Sequence, residues 1–273
     1  MNVEWKNIFR GLLMGTSDAV PGVSGGTIAV ILGIYDRLIE AINGILSREW
    51  KKHLGFLIPL GVGVVAALVT MSHVIEWLFA HYPNQTYFFF IGLIIGVLPY
   101  LFHKADVKSN FQVGHYMLLV IAALLVASLA FFKEPSGGAL LDTTKTGVLV
   151  TLFFSGFIAS MAMIVPGISG SMLLLIMGTY ETIFNAIGEF NLLVIGIFGI
   201  GVVIGIVSCT KIIRYFLTNH HAHTFAVIIG LVIGSVAVIF PGFEREVGMS
   251  ILSIVTFALG LVAAVSLGKI EYK

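Results

Sequence analysis

Charge is scarce in this chain. Only 11% of its 273 residues are Asp, Glu, Lys or Arg, while 58% are hydrophobic. A water-soluble domain carries about 25% charged residues, so a globule solvated on every side is excluded. Cysteine occurs once, at Cys209, which excludes an intramolecular disulfide. Metal-ligand spacing is missing too. His220, His221 and His223 have no Cys, Asp or Glu between them, so they are expected to form a solvated, weakly basic loop and not a zinc site. The net charge of +1 argues neither for nor against an acidic partner, and no nucleic-acid partner is expected. The opening MNVEWKNIFRG lacks the order of a cleaved signal, so insertion is expected to use the first spans themselves.

Long apolar runs fill the chain instead. Phe190–Thr210, Thr224–Phe243 and Val247–Gly268 are free of charge and about long enough to cross a hydrocarbon core. Thr146–Tyr180 contains no charged residue. The reading is an all-α polytopic membrane protein, one transmembrane domain over 1–273.

Into this apolar chain the sequence sets PGVSGG at Pro21–Gly26 and PGISGS at Pro166–Ser171. Proline and glycine break helices. A shift of 145 lays Pro21–Gly25 on Pro166–Gly170, Gly33 on Gly178, Tyr35 on Tyr180, Asp36 on Glu181 and Gly11 on Gly156. Further on the shift is 138, and Gly61-Val62-Gly63 meets Gly199-Ile200-Gly201, with Gly92 on Gly230 and Gly96 on Gly234. An internal duplication follows. The first repeat covers 3–133, with a broken segment at 3–47 and spans at 54–80, 86–103 and 115–133. The second covers 147–268, with a broken segment at 147–188 and spans at 190–213, 224–243 and 247–268.

Positive charge orients these segments. If both broken segments enter and leave on one side, the inner loops hold 11 Lys and Arg and the outer loops 3, with Arg37 uncounted; if only the second crosses, the tally is 8 against 6. The first arrangement is expected, with both termini, Gly44–His53 and His220–His223 cytoplasmic and Glu134–Lys145 outside. Three spans per half then point the halves in opposite directions, each with a re-entrant hairpin. This is the inverted-repeat plan of secondary transporters. Trp77, Tyr82, Tyr87 and Tyr100 read as interface belts, and the glycine pairs Gly61/Gly63 and Gly92/Gly96 as close helix contacts.

Broken backbone at membrane depth is tolerated where protein buries it or a wet cavity receives it. A new half-helix is expected to start near Ser24–Thr27, with free N–H groups suited to an anion such as phosphate. Ser24, Gly25, Gly26 and Thr27 in one tip, and Ser169, Gly170 and Ser171 in the other, are the candidate phosphate-binding residues. The two serines equally suit capping. Asp18 could bind a coupling H⁺ or Na⁺, or cap the turn. Its counterpart is Met163. Arg37 falls about 15 Å along a helix from Thr27. There it could receive a phosphate head, snorkel, or pair with Asp36 or Glu40. Asp36 and Glu181 are matched carboxylates at opposite mouths, either further ion ligands or solvated helix ends. No resident cofactor or metal is expected.

At SDAVPGVSGGTIAVILGIYDRLIEAI and MAMIVPGISGSMLLLIMGTYETIFNAI the chain resembles the bacterial and archaeal polyprenyl-phosphate transporters, the PopT-like family. The resemblance runs over essentially the whole chain. It implies a non-enzymatic carrier in the cell membrane that returns undecaprenyl phosphate from the outer to the inner leaflet for cell-wall biogenesis. The lipid substrate comes from the resemblance; the anion site comes from the residues. Integral-membrane polyprenyl-pyrophosphate phosphatases also have inverted repeats, with a Pro-Gly-x-Ser-Arg-Ser motif. Gly25 and Gly170 stand in the arginine position here, and no Glu-x-x-x-Glu precedes Pro21 or Pro166. Hydrolysis needs positive charge around the phosphate, so transport is favoured. A small-anion channel or carrier is the third reading. Prenyl chain length and oligomeric state have no sequence signal.

Overall fold

A computed structural model describes residues 3–18, 23–45, 47–132, 140–243 and 246–271. Pro21 and Gly22 of the first motif lie outside the described residues. So do Lys133, Arg245 and Lys273 of the charge tally, and residues 134–139 of the expected outer loop.

Among the described residues every regular element is helical. The first broken segment forms α1 (Lys6–Asp18), α2 (Gly25–Ile31) and α3 (Tyr35–Gly44). Then come α4 (Trp50–His81), α5 (Pro83–Lys104), the short α6 (Val107–Asn110) and α7 (Val113–Ser128), which runs into a 3₁₀ turn at Leu129–Phe132. The second half has α8 (Thr146–Ile164), α9 (Gly170–Ile176), α10 (Tyr180–Gly188), α11 (Leu192–Asn219), α12 (His221–Ile239) and α13 (Val247–Glu271). Among the described residues six helices are long and apolar enough to cross a membrane: α5, α7 with its 3₁₀ turn, α8, α11, α12 and α13. The protein is a multi-pass membrane protein. The expected span 54–80 falls inside α4, which has 32 residues.

One expectation is corrected here. His220–His223 is not a loop: α11 runs on to Asn219 and α12 starts at His221, because apolar side chains continue through Ile212, Ile213 and Leu217 beyond Lys211 and Arg214. The histidines sit at a tight helix–helix corner.

The closest helix pairs are α1 on α4, α8 on α11, α5 on α13 and α7 on α12. The second expected span of each half, α5 or α12, therefore packs on the last expected span of the other, α13 or α7. Close approach of backbones is what membrane helices use in place of a hydrophobic driving force. A Cβ on Gly63 would run into the Ile8 carbonyl, and one on Gly201 into the Phe153 carbonyl. Likewise Gly92 abuts the Phe257 carbonyl and Gly230 the Leu119 carbonyl. These contacts recur at the sequence offsets of 145 and 138. Alanine at Gly63 or Gly201 should cost about 1–3 kcal/mol through overpacking. Alanine at Gly61 or Gly199, where an added Cβ has nothing within 4 Å, should be neutral or stabilising by up to about 1 kcal/mol. Thermal unfolding of the detergent-solubilised protein checks both halves of this pattern.

Candidate functional site: two helix breaks in contact

At the first break α1 ends on Asp18 and α2 begins at Gly25. Ser24 is the N-cap in an extended conformation, and its Oγ accepts from the Gly26 amide at 3.2 Å. Asp18 Oδ1 accepts from the Gly25 amide at 2.6 Å. The first tip thus already holds an anion of its own, and both the capping serine and the capping carboxylate are realised. At the second break α8 ends at Ile164, the chain turns through Gly167 with φ of +87°, and α9 begins at Gly170. Ser169 is the N-cap but its side chain makes no cap bond; its Oγ lies 2.9 Å from Ser171 Oγ. Asp18 has Met163 as its counterpart, so the carboxylate is present on one tip only.

The two breaks touch. The Gly167 amide donates to Thr27 Oγ1 at 2.8 Å, and Thr27 is 1% exposed. A Cβ on Gly26 would stand 3.0 Å from the carbonyl oxygens of Met163 and Ile164. Ser24 and Ser169 are buried beside this contact. The structure therefore brings together Asp18, Ser24, Gly25, Gly26 and Thr27 with Gly167, Ser169, Gly170 and Ser171. The arrangement offers hydroxyls and short half-helix ends in a buried centre, with no cationic side chain among these residues.

Arg37 is not part of this cluster. The half-helix that starts at Gly25 does not run on to Arg37; it stops after seven residues. Gly33 adopts φ of +66°, its amide bonds the Val30 carbonyl, and the Ile34 amide reaches back to Ala29. Gly178 repeats this, with bonds from its amide to Leu175 and from Thr179 to Leu174. Both are Schellman endings, for which glycine at positive φ is the usual residue. After the second, α9 and α10 lie bent by 113°. Arg37 belongs to α3, pairs with Glu4, and stacks over Phe56 at 4.9 Å. It lines a polar cavity of about 690 Å³ with Glu40, Lys51, Lys52 and His53. Asp36 pairs with Lys104 at 2.6 Å, an exposed bridge worth about 0–1 kcal/mol. Glu181 stands half-buried in the first turn of α10, past the end of α9 and outside the cluster at the second tip.

Sequence reasoning missed His115. It is buried, its Nδ1 accepts from the Gln112 amide at 2.9 Å, and its ring meets that of His223 at 4.3 Å. The signal was a Gln three residues before a His at the start of an apolar helix, a variant of the capping box.

Comparison with known proteins follows the same lines. A family model described as VCA0040-like, undecaprenyl phosphate translocase-like, matches residues 14–252. The chain is 42% identical over 275 residues to a protein of Staphylococcus aureus (strain NCTC 8325 / PS 47) named polyprenyl-phosphate transporter, covering 98% of this chain and 97% of that one. It is 35% identical over 248 residues to a protein of the same name from Vibrio cholerae serotype O1 (strain ATCC 39315 / El Tor Inaba N16961), covering 86% of this chain and 77% of the relative. No solved structure matches. Relatives named as transporters agree with a carrier and not an enzyme. The chain belongs to the VCA0040-like, undecaprenyl phosphate translocase-like family.

Proposed function

We propose that this protein carries polyprenyl phosphate from the outer to the inner leaflet of a bacterial or archaeal cell membrane, with the phosphate bound between the two broken-helix tips. The observation that carries the reading is the buried contact from Gly167 to Thr27. It joins two helix breaks of nearly identical sequence at one central point. The substrate is that named for the relatives of Staphylococcus aureus and Vibrio cholerae.

The halves are inverted, and both broken segments are re-entrant hairpins. Glu4 before α1 pairs with Arg37 on α3, which supports one shared end for the first segment. The Leu141 amide donates to Thr182 Oγ1 at 3.0 Å, which supports one shared end for the second. Asn43 and Ser47 line one cavity with Thr218 and Asn219, so the ends of α3 and α11 also lie together. Arg48, Lys51, Lys52, Lys211 and Arg214 fall near these helix ends in the sequence, which supports a cytoplasmic side for that end and for both termini.

Recognition works by hydrogen bonding, not by ion pairing. The hydroxyls of Ser24, Thr27, Ser169 and Ser171 and the amides of Gly25, Gly26 and Gly170 supply donors. Each bond to a charged group is worth about 1.5–3 kcal/mol. Asp18 competes with phosphate for the Gly25 amide. A proton or Na⁺ on Asp18 frees that amide, and loss of the cation expels the phosphate, which couples release to an ion.

Reconstituted proteoliposomes test the function. Labelled polyprenyl phosphate should cross from one leaflet to the other only when the protein is present. The purified protein should release no phosphate from polyprenyl pyrophosphate, with or without Mg²⁺. Phosphate release that Ser24→Ala abolishes would replace transport with hydrolysis.

A further inference from the structure

A cavity of about 540 Å³, well inside the range of ligand pockets, runs from the α11–α12 corner to the second tip. Leu118, Phe216, Val227 and Leu231 line its walls. His220 and His223 stand at one end, and Pro166 at the other. Pro166 is followed by Gly167, whose amide holds Thr27. The cavity therefore leads to the closed contact between the tips.

Behind its histidine end lies a buried polar atom without a partner. Because the Gln112 amide donates to His115 Nδ1, the neutral ring carries its proton on Nε2. His115 is 8% exposed, and Nε2 has no hydrogen-bond partner among the described residues. An orphaned buried donor is costly. It lies against the ring of His223, which lines the cavity. Two imidazoles line one end of an otherwise apolar chamber, with His115 packed behind His223, and they match a molecule with one anionic head and one hydrocarbon chain. No group of three or more His, Cys, Asp and Glu with metal-binding geometry occurs among the described residues.

We propose that this chamber is a second lipid site, a vestibule that takes a prenyl monophosphate with its head on His220 and His223 and its chain along Leu118, Val227 and Leu231. The identity of the ligand rests on the carrier reading above; the site itself does not. The head group passes between the vestibule and the tips when the Thr27–Gly167 bond opens.

Thr224 lines the same cavity and is half-buried, while the natural Cys209 is 3% exposed. In full-length Thr224→Cys protein in nanodiscs, farnesyl phosphate should block maleimide labelling. Inorganic phosphate and farnesol at the same concentration should not. Adding His223→Phe should raise the protecting concentration about tenfold to a hundredfold, one lost bond to a charged group. Val227→Trp, which fills the chamber and leaves the cap of α7 untouched, should abolish protection. Equal protection by farnesol would mean an apolar pocket without head-group recognition. Equal protection by inorganic phosphate would mean a free-anion site. Either result, or no protection, overturns the vestibule. Protection that survives in a protein inactive in proteoliposomes overturns the carrier reading alone, and full transport without protection overturns the vestibule alone.

Discussion

A Gly25→Asp variant is expected to lose at least about a hundredfold in transport rate. A Cβ at Gly25 would stand 2.6 Å from Asp18 Oδ2, so the new carboxylate is forced against an existing one. Two unit charges about 4 Å apart at an effective dielectric of 20 repel by about 4 kcal/mol, or about a thousandfold in an equilibrium constant. Crowding alone predicts less. Gly25→Ala meets only the end of a movable carboxylate, and should cost about one hydrogen bond, tenfold or so. Gly25→Asn separates the two causes. It keeps the bulk and adds no charge, so transport in proteoliposomes should recover most of the loss. A Gly25→Asn variant as inactive as Gly25→Asp itself would show that space, not charge, limits the first tip.

Thr27→Val should destabilise the resting state by about 1–3 kcal/mol. The substitution keeps the shape and removes the oxygen that, among the described residues, receives the Gly167 amide. A buried N–H is then left without a partner. For a chain of this size the loss corresponds to a fall of about 3–10 °C in Tm. Thr27→Ser retains the acceptor and should unfold close to the parent. The same bond holds the two tips together, so Thr27→Val should also favour the open state. A Thr27→Val protein that melts with the parent would mean that the tips are held by packing alone.

The helices and the two breaks were legible because their causes are local. Charge-free windows marked the spans, and Pro-Gly-x-Ser-Gly marked each break in a chain where lipid punishes broken helices. Duplication made the second break readable from the first. What stayed hidden depends on contacts between distant segments. Gly33 and Gly178 were seen as matched glycines, yet their role as left-handed helix endings was missed. Arg37 was therefore strung along a helix that ends at Ile31. The choice between capping and ligand binding at Asp18 needed the 2.6 Å bond to Gly25. The corner at His220 was read as a loop from its polar letters, although the apolar pattern of α11 continues past Arg214. His115 and His223 are more than a hundred residues apart, and no spacing rule brings them together.

The central claim is that one phosphate is shared by both tips, and photolabelling tests it most directly. A short-chain prenyl phosphate with a photoreactive group beside the phosphorus is cross-linked to the full-length protein, and the labelled peptides are identified. Label in both the Ser24–Thr27 peptide and the Gly167–Ser171 peptide, lost from both in Gly170→Asp, is the predicted result. Label confined to the peptides of Arg37, Lys51 and His53, with the tips untouched, would place the head group in the polar cavity at the end of α3 and contradict the account.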